Sequence, residues 1–222
     1  MAVRAVVLDV GGVLVESPFV SAIRWGERWQ LPMEAFGAIF GEYARAVEPG
    51  EEPPLWHEVE CGRVPLADFV VHMGEALDHL LGADHPARGL AADDFNPFAG
   101  AAGHPQVAQL ARDAAAAGLG TAILTNNVRE WGSWREIVPL DAFDHVVDSS
   151  EVGLRKPDPA IYELTTTLLG VEPGSVLFLD DHDGNLDAAA EYGWNVQLVS
   201  TDVDAAVEAA RSFLESGVGG GG

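Results

Sequence analysis

The stretch Ala5-Val6-Val7-Leu8-Asp9-Val10-Gly11-Gly12-Val13-Leu14 constrains the fold more than any other part of this chain. Four apolar residues run without alternation into a single carboxylate. A short, continuous apolar run suits a strand buried on both faces, as at the centre of a parallel sheet. The paired glycines let the backbone turn at the strand end and let a ligand come close. In an open α/β sheet, ligands bind beyond the carboxyl ends of the strands, which is where Asp9 stands. A strand-ending Asp that merely caps a turn is the competing reading of this stretch alone.

The rest of the sequence alternates strand and helix only after residue 103. Residues 16–97 carry helical patterns and no convincing strand. Pro18 opens one helix and Pro32 a second, which runs through Phe36, Ile39, Phe40 and Tyr43. Residues 48–54 read as a loop, 55–60 as a third helix and 65–81 as a fourth, and 82–97 as loop and connector. From His104-Pro105 the order is a helix to Ala117, a strand at 121–124 and a helix through Trp131 and Trp134. A strand at 145–147, a helix at 159–169, a strand at 176–179, a helix at 185–192, a strand at 195–199 and a helix at 203–214 complete it. This order predicts an α/β protein: a Rossmann-like parallel sheet with helices on both faces and a small all-helical domain inserted after the first strand. The expected division is 1–15 plus 98–216 for the core and 16–97 for the helical insertion. Residues 217–222, nearly all glycine, are expected to form a disordered tail.

Charge narrows the partners. The chain has 222 residues, a formal net charge of −23 and 48% hydrophobic residues. That balance argues against nucleic acid and anionic membranes as partners. No apolar run is long enough to span a bilayer, the first residues lack the order of a signal peptide, and the lone Cys61 fits a reducing compartment. A cytoplasmic location, as monomer or homodimer, is the expectation. An acidic protein that binds anions must gather its few cations, or a metal, at the site. Of twelve basic residues only Lys156 is lysine, which suggests a place needing a compact ammonium rather than a planar fork.

Several predicted strands end in polar residues that a parallel sheet would collect along one edge. The first ends in Asp9, the second in Thr125-Asn126-Asn127 and the fourth in Asp180-Asp181, while Lys156 lies in a loop running into a helix. Each has a bland alternative, such as helix capping. Two adjacent carboxylates at a buried strand end, however, repel unless a cation intervenes. Together the types suit phosphoryl transfer. Asp9 can attack phosphorus, and Asp9 with Asp180 offers the hard oxygen donors that Mg²⁺ takes. Thr125 can hold phosphate oxygens, and Lys156 can balance negative charge on the transferring group.

On the stretches LDVGGVL, ILTNN, GLRKPDPAIY and FLDDHDGNLDAA, the chain resembles the haloacid dehalogenase-like (HAD) hydrolase superfamily. The resemblance implies a small phosphorylated metabolite as substrate and Mg²⁺ as cofactor. It implies Asp9 as nucleophile and Lys156 as the residue stabilising the phosphoryl group, with Thr125 and Asn126 binding phosphate. The metal would be held by Asp9, the Gly11 carbonyl and Asp180, with Asp181 supporting through water. The insertion would be the helical cap that selects substrates, with Arg63 as a specificity candidate. One position departs from the phosphatase pattern: Gly11 stands where a second Asp usually transfers protons. Glu16 and His182 are candidate replacements, or the substrate has a good leaving group. A 2-haloacid dehalogenase, which also lacks the second Asp, and a non-catalytic binding protein are the alternatives.

Overall fold

The apolar runs become five parallel strands in a computed structural model that describes residues 2–41, 47, 51–94, 96 and 98–218. The strands are β1 (Ala5–Leu8), β2 (Gly120–Thr125), β3 (His145–Asp148), β4 (Val176–Asp180) and β5 (Asn195–Leu198), in the order β3-β2-β1-β4-β5. β1 is therefore central, paired in register with β2 (Leu8 beside Ile123) and with β4 (Leu8 beside Leu179). All four of its residues are buried, as its unbroken apolar run requires.

Because side chains alternate across a strand, the sheet feeds two cores. On one face Val6, Leu8, Ile123 and Leu179 join Val107, Leu110 and Ala111 of α5 (Pro105–Ala116) and Ala206, Val207 and Ala210 of α9 (Val203–Val218). On the other face Val7, Leu124 and Phe178 meet Ile161 and Tyr162 of α7 (Pro159–Leu169) and Leu186 and Ala189 of α8 (Asp183–Tyr192). This second core is aromatic: the Trp194 ring lies 5.2 Å from Tyr162 and 5.5 Å from Phe178, edge to face in both cases. The helix ends carry their own signals. Asp158 caps α7 by accepting from the Ala160 N–H at 2.9 Å, Pro159 follows at the first helical position, and Gly170 ends the helix.

Between β1 and α5 lies a helical insert: α1 (Pro18–Arg28), α2 (Met33–Phe40), α3 (Leu55–Glu60) and α4 (Leu66–Leu77). It shares the first core. Trp56 of α3 packs on Phe69 of α4 at 4.8 Å and on Trp131 of the core at 5.6 Å, while the Trp25 indole donates to the Asp94 carbonyl at 2.7 Å. Tyr43, residues 48–50 of the expected loop and Pro97 lie outside the described residues.

Four details differ from the sequence expectation. The helix expected through Trp131 and Trp134 is a turn followed by a short 3-10 helix, Ser133–Glu136; both indoles are buried, so their three-residue spacing reflects core packing rather than an α-helical face. The segment α6 (Ser149–Val152) is a single helical turn capped by Asp148. The stretch 82–97 holds two short 3-10 helices, Pro86–Gly89 and Ala92–Asp94. Helix α9 continues through Val218, past the expected end at Leu214 and into the expected tail, whose residues 219–222 are not described. No helix among the described residues is long and apolar enough to cross a membrane.

Phe178 joins the strand core to the aromatic cluster and is fully buried. Phe178→Ala is expected to lower stability by about 3–5 kcal/mol, read as a fall in the midpoint of urea unfolding.

Candidate active site

The parallel sheet delivers its carboxyl ends to one edge, where β1, β2 and β4 place Asp9, Thr125 and Asp180 side by side. The long loop after β3 brings Lys156 between them. Its Nζ lies 3.1 Å from Asp9 Oδ1 and 2.6 Å from Asp180 Oδ2, and donates to the Leu124 carbonyl at 3.0 Å. Lys156 is 1% exposed and its ammonium sits 5.4 Å above the centre of the Phe178 ring. A charge this deeply buried persists only when paired and hydrogen-bonded.

Two asparagines that the sequence left without a positioning role fix this arrangement. Asn126 clamps the Lys156 backbone, accepting from its N–H at 2.8 Å and donating to its carbonyl at 2.9 Å. The Asn185 amide donates to both oxygens of Asp180 at 3.1 Å, and the His182 N–H donates to Asp180 Oδ1 at 2.8 Å. Tyr162 in turn holds the Asn185 carbonyl at 2.9 Å. Both asparagines fall inside motifs already singled out; a polar side chain next to a strand end was the available signal. Thr125 is a buried residue, and its hydroxyl makes no hydrogen bond among the described residues.

The two glycines after Asp9 have different reasons to be there. Gly12 has φ of +73°, and a Cβ on it would collide with the Asp181 carboxylate. Gly11 has no such backbone demand. A Cβ there would meet Pro18 Cδ at 2.8 Å and Cγ at 3.1 Å, so the first residue of α1 fills the space a side chain at position 11 would need.

The remaining candidates lie farther out. Glu16 holds Arg24 through two bonds of 2.7 and 3.0 Å. Arg63 pairs with Glu58 at 2.6 Å and reaches the Gly153 carbonyl at 2.9 Å. His182 and Arg63 both line a cavity of about 770 Å³ between insert and core, beside the cluster rather than over Asp9. Arg155 and Glu60, which the sequence did not suggest as a pair, join core to insert at 2.7 Å across 95 residues. Cys61 is buried, and burial pushes its thiol up, which suits a packing residue.

Asp9, Asp180 and Asp181 each bring a carboxylate oxygen within 4.8 Å of the others. Three carboxylates share one ammonium, and the imbalance shows in their acidity. Burial, reinforced by Asp180 and Asp181, pushes Asp9 up to about 8 against the pull of Lys156. Burial and Asp180 push Asp181 to about 6. Burial alone would depress Lys156, but Asp180 and Asp9 together outweigh it and hold the ammonium above its ordinary value. Hard oxygen donors with surplus negative charge are what a small divalent cation takes.

A model of the haloacid dehalogenase-like hydrolase family matches residues 3–193. The chain belongs to this family. Among curated relatives, it is 32% identical over 196 residues to acyl-CoA dehydrogenase family member 10 of Mus musculus, covering 86% of this chain but 17% of that protein. It is 29% identical over 203 residues to a phosphatase of Mycobacterium tuberculosis, covering 90% of this chain and 88% of the other. It is 26% identical over 198 residues to (S)-2-haloacid dehalogenase 4A of Burkholderia cepacia, covering 86% and 80%. In fold it resembles a HAD family enzyme of Bacteroides thetaiotaomicron solved with magnesium and inorganic phosphate, with a TM-score of 0.59, 20% identity, and coverage of 89% and 94%.

The raised acids of this HAD protein give stability a definite pH dependence. A carboxyl whose folded value lies above its unfolded value stabilises fully below the unfolded value, near 4, and loses that contribution as pH rises through the folded value. For Asp181 and Asp9 the window runs from about pH 4 to about 8. Without metal, Asp9→Asn is therefore expected to melt increasingly above the parent as pH rises across that window. Thermal melts in chelator at several pH values check this.

Proposed function

We propose that the chain is a Mg²⁺-dependent hydrolase of a small phosphorylated metabolite, working through an aspartyl-phosphate on Asp9. The observation that carries this reading is the cluster in which Asp9 and Asp180 hold a single buried lysine and Asp181 stands beside them, the three carboxylates within reach of one ion. A site for a neutral or monoanionic substrate needs one nucleophile. The acidic pair at the end of β4 adds negative charge that such a site does not need, so the pair is best explained by a cation shared with Asp9.

Asp9, Asp180 and Asp181 would hold the metal, with the Gly11 carbonyl as a further oxygen. The metal would neutralise charge on the phosphoryl oxygens and on the nucleophile. The chain's own groups do the rest. The Asp9 carboxylate oxygen attacks phosphorus, and the bond to the leaving oxygen breaks. Lys156, fixed by Asn126 and Asp180, sets a positive charge beside the transferring group. The free Thr125 hydroxyl and the second amide proton of Asn126 are available to the phosphoryl oxygens. Water then attacks phosphorus, releasing phosphate and restoring Asp9. The helical insert acts as a cap, and Arg63 at the cavity supports a role for it in substrate selection.

Pro18 bears on the leaving group. It fills the space beside Gly11, so the loop offers no proton donor there. Such help is worth about 10²–10⁴-fold, and its lack favours substrates with good leaving groups, such as acyl phosphates or sugar 1-phosphates. Of the two replacement candidates, Glu16 is engaged by Arg24 and His182 lines the cavity beside the cluster. Gly11 and the dehalogenase relative also support a second reading, a 2-haloacid dehalogenase. The acidic pair Asp180-Asp181 favours the first.

Hydrolysis of activated phosphate esters is expected to need Mg²⁺ and to fall by about 10⁴-fold or more in Asp9→Asn. Lys156→Ala is expected to lower kcat by about 10²–10³-fold. Halide release from a 2-haloacid without metal would instead establish the dehalogenase, and inertness toward both classes would favour a binding protein. Because Asp181 and Asp9 must lose protons to bind a cation, Mg²⁺ affinity is expected to rise between about pH 6 and 8. Calorimetric titration across that range measures it.

A further inference from the structure

Five of the chain's twelve basic side chains converge on one short segment, residues 150–156, among them Arg135, which pairs with Glu151 at 2.8 Å. Arg155 and Lys156 belong to it, Arg129 donates to the Ser150 carbonyl at 2.9 Å, and Arg63 donates to the Gly153 carbonyl at 2.9 Å. In a chain with a net charge of −23 this concentration is uneven. Lys156 turns inward to the carboxylates. Arg155, its neighbour, lines the cavity of about 770 Å³ instead, together with His57 and Arg63 of the insert and Asn126, His182 and Asn185 of the core. Asn126 also holds the Lys156 backbone, and Asn185 holds Asp180, so the cavity adjoins the reacting centre.

Arg155 is built for recognition more than for linkage. Its side chain is 14% exposed, and its Nε donates to Glu60 Oε2 at 2.7 Å. That contact uses one edge of the guanidinium. The two Nη groups have no partner among the described residues. A planar fork oriented along one edge by a buried carboxylate presents its other edge already ordered, which lowers the cost of binding. Among the described lining residues the carboxylate is Asp158, which is engaged at the start of α7, accepting from the Ala160 N–H. In the same described lining the open Nη edge of Arg155 is a donor, and the group complementary to it is an acceptor.

We propose that the cavity seats a second oxyanion of the substrate, a carboxylate or second phosphoryl group apart from the reacting one, and that Arg155 recognises it. This rests on the hydrolase reading for the reacting phosphoryl group. It makes the substrate a phosphate ester or anhydride whose leaving portion ends in an anion. Substrates with a neutral tail would take water from the Nη donors without replacing its hydrogen bonds, which weakens their binding.

The test uses phosphonates, which bind without being hydrolysed. Alkyl phosphonates, ω-carboxyalkyl phosphonates and ω-phosphonoalkyl phosphonates of matched length are titrated calorimetrically into the full chain with Mg²⁺. An anionic tail is expected to tighten binding by about 10–100-fold, and the two anionic series show which oxyanion is preferred. In the double variant Arg155→Gln with Glu60→Gln, which leaves no buried carboxylate unpaired, the preference is expected to shrink to about threefold or less. Arg155→Lys keeps a cation for Glu60 but removes the planar edge, and the preference is expected to fall there as well. Equal affinity for all three series, no binding of any, or a preference that survives in both variants would overturn the proposal. Failure of esters to turn over while the binding preference holds would instead count against the hydrolase reading alone.

Discussion

The buried ammonium of Lys156 is the point on which this structure turns. Placing a positive charge at 1% exposure against the ends of β1 and β4 costs several kcal/mol of desolvation unless partners compensate. Here they are Asp9, Asp180 and the Leu124 carbonyl, one from each of the three central strands. The lysine thus ties the strand ends together, and it needs the loop after β3 to cross the sheet edge to reach them. Asn126 holds that loop by its backbone, and Asn185 holds Asp180. The paired charges do not cancel: three carboxylates face one cation, and the surplus makes Asp9 and Asp181 weaker acids than usual.

That surplus distinguishes the cluster from a simple ion pair. A purely structural ion pair would be matched one to one, or replaced by apolar residues at little cost. Two buried carboxylates on the lysine and a third, half-buried, beside them leave a surplus of negative charge, which supports the proposed cation. The loop after β1 shows the same specialisation. Gly12 must be glycine because Asp181 lies against it. Gly11 is closed off by Pro18, so the start of the helical insert and the chemistry of the loop are linked in one packing contact.

Much of the fold was legible in the sequence, because parallel strands buried on both faces announce themselves as unbroken apolar runs. β1 and β4 are the clearest cases, and Pro or Asp at the helix starts marked α5 and α7. Trp131 and Trp134 misled because apolar spacing of three residues fits a turn as well as a helix. The polar strand ends were legible for the same reason the strands were: Asp9, Thr125 and Asp180 interrupt apolar runs. Lys156 stood out only by its rarity. What could not be read were contacts made across long separations. Arg155 and Glu60 are 95 residues apart, and nothing local marks either as the other's partner. Asn126 and Asn185 were visible as residues but not as clamps, since their role depends on where the loop carrying Lys156 lands. Pro18 carried no sign that its ring would occupy the space beside Gly11.

The central claim is that Asp9 accepts a phosphoryl group. The most direct measurement is a rapid-quench reaction of the Mg²⁺-loaded chain with an activated phosphate ester, followed by peptide mapping in acid by mass spectrometry. The account predicts that the peptide containing Asp9 transiently gains the mass of one phosphoryl group, and that the gain disappears in Asp9→Asn. Turnover with no modified peptide, or with the group on another residue, would contradict it.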